Sequence, residues 1–178
     1  MAEEEGALGA GGQAINGGGD LPQVGILSQY VKDFSFENPN APHVYQWQGQ
    51  PAIDVQFNIG AGKVGDDVHE VVLQITVTAK GTGLEGQEQT AFMVDLLYAG
   101  LFALRNVPEE QLQPFLLAEA PRILFPFARR IISDAVLDGG FPPLMLEPID
   151  FASLYMQQAA QRQAEASGGQ AGEITGQA

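Results

Sequence analysis

Three features of this 178-residue chain predict an α+β fold, an antiparallel sheet with helices on one of its sides. Strand-like alternation fills the stretch from Tyr30 to Ala99, whereas helix-like spacing begins only after Gly100. The links between the strands are short, which implies antiparallel neighbours. Strands first and helices afterwards separates the two kinds of element into layers.

The first strand covers Tyr30 to Glu37. Period two puts Tyr30, Lys32, Phe34 and Phe36 on one side and Val31, Asp33, Ser35 and Glu37 on the other, so the aromatic side is expected inside and the acidic side in water. Asn38-Pro39-Asn40-Ala41-Pro42 forces a turn, because proline fixes φ and asparagine tolerates left-handed geometry. His43 to Gln48 reads as a short extended piece ended by Gly49-Gln50-Pro51. Ala52 to Gly60 alternates Ile53, Val55, Phe57 and Ile59 inward against Asp54, Gln56 and Asn58 outward, and Gly60 to Gly65 reads as a loop. Asp67 to Lys80 is β-branched and alternates Val71, Leu73, Ile75, Val77 and Ala79 with Val72, Gln74, Thr76 and Thr78. After a glycine-rich turn, Gln87 to Ala99 sets Phe92, Val94, Leu96 and Tyr98 opposite Met93, Asp95 and Leu97.

Asn106-Val107-Pro108-Glu109-Glu110 has the chemistry of a helix start, with proline and acids in the first turn. Leu112, Phe115 and Leu116 follow on one face. Pro121 then opens a second, longer helix through Asp138, with Leu124, Phe127, Ala128, Ile131 and Ala135 at helical spacing and Gly139-Gly140 as its stop. Phe141 to Pro148 is a proline-rich connector, and Asp150 caps a last helix with Phe151, Leu154 and Tyr155 on one face. Residues 1–25 and 166–178 are rich in glycine and poor in bulky side chains, so they read as disordered tails around one domain at 26–165.

Composition narrows the function. The 22 acids against 8 bases give a net charge of -14, which disfavours nucleic acid and anionic membrane and favours a basic partner. There is no cysteine, hence no disulfide, thiolate nucleophile or cysteine zinc site. The two histidines, His43 and His69, stand apart from any nucleophile pattern, and no glycine-rich phosphate loop follows a strand. Asp66-Asp67 suits a hairpin mouth better than a metal or paired-acid site. The reading is a non-enzyme with no cofactor and no bound metal. The acidic, glycine-rich N-terminus lacks the pattern of a secretory signal, and no apolar run reaches the ~18 residues of a membrane span, so a cytoplasmic location is expected.

Four blocks, KDFSFENPNAPHV, DDVHEVVLQITVTA, TAFMVDL and ILFPFARRII, stand in an order that resembles the SecB family of bacterial export chaperones, over about Tyr30 to Met156. The resemblance implies a four-stranded antiparallel sheet with two main helices packed on one side, assembled as a dimer of dimers. It also implies an ATP-independent holdase that keeps unfolded precursors in hydrophobic grooves and delivers them to the translocation ATPase SecA. By period two, Asp33, Glu37, Met93 and Asp95 converge on the wet sheet face. Acids there also discourage edge pairing, so the residues alone leave their role open. In the family, the matching positions bind the basic, zinc-holding C-terminal tail of SecA, the zinc belonging to the partner. Tyr45, Trp47, Phe102, Phe141, Leu144 and Leu146 are bulky side chains in short or connecting segments and are expected to line the client groove. Ile123, Leu124, Phe127, Ile131 and Ile132 cover more than one face of the long helix, which points to a subunit interface. The rival readings are a SecB-like chaperone dedicated to a toxin–antitoxin pair and a carrier of one small hydrophobic ligand.

Overall fold

The structure, a computed structural model, describes residues 21–168. Four strands form one antiparallel sheet in the order β1-β4-β3-β2. They are β1 (Gln23–Glu37), β2 (Ala52–Gly65), β3 (Val68–Thr82) and β4 (Glu88–Arg105). Helices α1 (Glu109–Pro114), α2 (Ala120–Asp138) and α3 (Phe151–Gly168) follow. The predicted α+β order is what is observed.

The core lies between one sheet face and α2. Val71, Leu73, Ile75 and Val77 of β3 and Val94 and Leu96 of β4 are buried against Leu124, Ala128, Ile132 and Val136 of α2. Alternation in β3 holds from Val71 to Ala79, as the sequence predicts. Gly100 does not end β4. It lies beneath α2, where an added Cβ would come within 2.8 Å of Leu124 Cδ2. Its small size permits close helix–sheet contact while the strand runs on to Arg105.

Several local expectations are corrected. Residues 43–46 form a 3-10 turn, because the Tyr45 amide bonds back to Pro42 O and the Trp47 amide to Val44 O. Gly60 to Gly65 is strand, not loop: β2 pairs with β3 as far as Gly65 opposite Val68, and the reversal is completed by Asp67 at φ 56°. Pro121 does not interrupt the helical run. A π turn at Phe115–Glu119, closed by a bond from the Ala120 amide to the Phe115 carbonyl, joins α1 to α2. Strand β1 also takes in Gln23 to Gly25, expected in the tail, and α3 reaches Gly168, past the expected end at 165. The remaining tail residues, 1–20 and 169–178, lie outside the described residues.

Two groups of predicted site residues belong to the core instead. Phe102 is fully buried, edge-on to Phe115 at 5.7 Å, so it lines no groove. Leu124 and Ile132 are fully buried beneath the subunit's own sheet and cannot face a partner, whereas Phe127 is 49% exposed and Ile123 and Ile131 are part-exposed. A helix interior places residues i and i+8 on one face, and the sheet claims that face first.

Candidate functional site

The outer sheet face carries the four residues expected on it. Cross-strand pairing sets Glu37 opposite Met93, Ser35 opposite Asp95 and Asp33 opposite Leu97. Glu37 and Met93 face each other directly, and Asp95 is a diagonal neighbour of both Asp33 and Glu37, roughly 7–8 Å away, so the three acids lie around Met93 on one stretch of this face. Asp33, Glu37 and Met93 are exposed and Asp95 is part-exposed. Gln74 Nε2 donates to Asp95 Oδ1 at 3.2 Å and orients the carboxylate. Such a face attracts cations and offers one thioether for apolar contact.

Alternation in β1 is broken where the sequence gives no sign of it. A bulge between Val31 and Asp33 leaves Lys32 as the extra residue, and Tyr30 stands opposite Ala99 on the outer face. Tyr30 and Lys32 therefore part from Phe34 and Phe36, and both bind Glu70. Tyr30 Oη donates to Oε1 at 2.5 Å and Lys32 Nζ to Oε2 at 2.7 Å. The carboxylate bond, then burial, pushes the Tyr30 phenol up to about 12. Glu70 is held below its ordinary 4.5, first by Lys32 and then by Tyr30. The signs differ. Stability from the raised phenol is complete below its usual value of about 10 and is lost as pH rises through 12, whereas that from Glu70 is present above 4.5 and lost on acidification. Of the four tyrosines, Tyr30 should titrate late, and Glu70→Gln should return it towards about 10. Phenolate absorbance against pH checks this, with the Tyr98 phenol, raised by burial alone, as the unmoved control.

On the other side of the subunit the predicted groove residues divide. Tyr45, Trp47 and Phe141 come together, with Val44, Pro51, Gly81, Ala91 and Pro142, around an open cavity of about 280 Å³. Leu144 and Leu146 line a separate groove of about 250 Å³ against Pro126, Arg129 and Ser133 of α2. The connector after α2 thus runs from one apolar recess to the next. Phe141 is held between Phe92 at 4.7 Å and Tyr45 at 5.7 Å between centroids.

The small residues of this recess are not among those predicted from sequence, although they make room for its large ones. A Cβ on Gly81 would meet Trp47 Cε3 at 3.0 Å, and one on Gly140 would meet Tyr45 Cε1 at 3.1 Å. Glycines beside an aromatic-rich segment are the signal that could have revealed them. Tyr45 also ties the recess together: its hydroxyl accepts from Asn38 Nδ2 at 2.9 Å and donates to the Gly139 carbonyl at 2.8 Å. Tyr45→Phe removes both bonds and frees the connector from the turn after β1. The expected result is a loss of about 1–2 kcal/mol of stability, one to two net hydrogen bonds, read by denaturant unfolding.

No group of three or more His, Cys, Asp or Glu side chains among the described residues is arranged to hold a metal ion, and no described helix is long and apolar enough to cross a membrane. An acidic cluster on the outer sheet face and open apolar recesses behind the sheet are thus the two surfaces that the fold presents. The family model described as preprotein translocase subunit SecB matches residues 18–162, and the chain belongs to that family. Proteins named protein-export protein SecB are 62% identical in Sphingopyxis alaskensis, over 86% of each chain, and 64% identical in Zymomonas mobilis, over 80% of this chain and 84% of that one. Among solved structures, the SecB-like chaperone of Mycobacterium tuberculosis, in complex with an antitoxin peptide, matches 71% of this chain and 90% of its own with a TM-score of 0.57 and 18% identity, which speaks for the fold.

Proposed function

We propose that this protein is an ATP-independent export chaperone that holds unfolded precursors in its apolar recesses and delivers them to SecA through its acidic sheet face. The observation that carries the reading is the high identity to proteins named for protein export, over most of the chain's length. The physics agrees with it. Apolar attraction is non-directional, so an open recess accepts many sequences, as a general holdase requires. Acids steer a cationic partner and confer salt-sensitive specificity. Asp33, Glu37, Met93 and Asp95 are the residues assigned to the SecA tail; Tyr45, Trp47 and Phe141, with Leu144 and Leu146, are those assigned to clients.

Assembly as a dimer of dimers in the cytoplasm completes the proposal. It is supported by the apolar surface that the single subunit leaves uncovered: Val24, Ile26, Val31 and Phe34 on the edge strand β1 and Phe127 on α2 are all exposed. A free, apolar strand edge invites pairing with another chain. The test is aggregation of a chemically unfolded precursor, with no nucleotide, at rising chaperone concentration. Suppression saturating at a fixed stoichiometry, by a species with the mass of a tetramer, is the expected outcome. Lack of suppression, or saturable binding of one small ligand in its place, would overturn the reading.

A further inference from the structure

The chain has no cysteine, so its oxidisable sulfurs are those of its four methionines. Met93, Met145 and Met156 lie among the described residues, and their side chains reach water unequally. Met145 is 76% exposed, Met156 64% and Met93 37%. Met145 stands between Leu144 and Leu146 and lines the same groove of about 250 Å³ against α2. It is tethered there. Its Sδ accepts from the Ser133 hydroxyl at 3.9 Å, the weak bond that a thioether can make. Arg129 and Arg130 line the groove too, where Asp134 is the carboxylate, and Arg130 Nε reaches it at 3.5 Å. The most accessible sulfur of the described residues is therefore held in a groove with apolar walls whose polar side chains are mostly donors.

We propose that Met145 is a reversible oxidation site that switches this groove: peroxide converts its thioether to the sulfoxide, and the groove then holds unfolded chain less tightly. This rests on the assignment of Leu144 and Leu146 to clients and adds a control on that site. The chemistry needs peroxide and no other group. The sulfur lone pair attacks one oxygen of hydrogen peroxide as the O–O bond breaks; that oxygen stays on sulfur, its proton passes to the departing hydroxide, and water leaves. The thioether loses two electrons and peroxide gains them. Oxidation turns a flexible apolar side chain into a polar one. The new oxygen is a far stronger acceptor than sulfur, and Ser133, Arg129 and Arg130 supply donors for it within the groove. The oxidised side chain therefore stays against α2, between the two leucines, where it presents an S=O dipole to a client's apolar residues. A client that covers it must strip that dipole of water, a cost that the thioether does not impose. Met145 lies outside the core, so the fold should be untouched.

The test is fluorescence titration of the full-length chaperone with a labelled unfolded precursor before and after hydrogen peroxide, with peptide mass analysis to place each added oxygen. Met145 should gain its oxygen ahead of Met93, and the treated protein should bind the precursor about tenfold more weakly. Reduction by methionine sulfoxide reductase should restore the affinity. Met145→Leu, whatever its affinity at the start, should keep that affinity through the same treatment. Met145→Gln brings a polar side chain to the groove with no oxidant and should show the tenfold loss untreated. Full affinity in wild-type protein whose Met145 is wholly sulfoxide overturns the switch and leaves the client groove standing, and so does full affinity in Met145→Gln. A treated Met145→Leu that loses as much as the wild type places the effect at another methionine and also overturns it. Untreated wild type that fails to bind the precursor removes the client reading and the switch together.

Discussion

Replacing Asp33 and Asp95 together with lysine is expected to weaken binding of the ATPase's cationic tail by about 100-fold at low salt, with the loss shrinking as salt is added. Each substitution turns an attraction into a repulsion, so the double change acts twice on a partner whose recognition depends on charge. The two residues lie on adjacent strands, Asp95 opposite Ser35 and Asp33 opposite Leu97, within one register row of each other. Their effects on a common ligand should therefore couple, and the sum of the single variants should miss the double. The fold should survive. Asp33 is exposed, Asp95 is part-exposed with Gln74 as its partner, and neither side chain touches the core. Calorimetry in low and high salt measures the binding, and thermal unfolding shows that the scaffold is intact. Undiminished binding at physiological salt would remove these acids from the partner's site.

The placement of this acid cluster is legible in the amino-acid sequence, and the reason is local. From Asp33 to Glu37 and from Phe92 to Leu96 the alternation is unbroken, so period two decides which side chains share a face. Three residues earlier the same rule fails, because the bulge at Lys32 moves Tyr30 to the outer face. A bulge is a property of how two strands meet, and a single strand's sequence does not announce it. The groove shows the same limit from another direction. Tyr45, Trp47 and Phe141 stand out as bulky residues in short segments, but Phe102 has equal bulk and lies wholly in the core. What separates them is the layer above: α2 and the π turn cover Phe102, through Phe115, while the connector leaves Phe141 at a cavity wall. Likewise Leu124 and Phe127 are neighbours on the helix wheel, and only the position of the sheet decides that one is buried and the other half-exposed.

That distinction between two phenylalanines is open to direct measurement. Phe102→Ala should cost about 3–5 kcal/mol of stability, since it deletes a ring from a site with no access to solvent and leaves a cavity that Phe115, Leu124 and the β4 backbone can fill only partly. At temperatures where the variant stays folded, its affinity for unfolded chain should match the wild type. Phe141→Ser should behave in the opposite way. Its ring is part-exposed at the mouth of the recess, and its loss removes an apolar wall that a client would cover, so affinity for an unfolded precursor should fall by about tenfold. Its stability cost adds the ring's partial burial to about 1 kcal/mol for the pairs with Phe92 and Tyr45 and should stay below that of Phe102→Ala. Denaturant unfolding and fluorescence titration with a labelled precursor separate the two effects. If Phe102→Ala also lost client affinity while fully folded, clients would have to reach beneath α2, and the recess lined by Tyr45, Trp47 and Phe141 would be only the entrance to a larger opening.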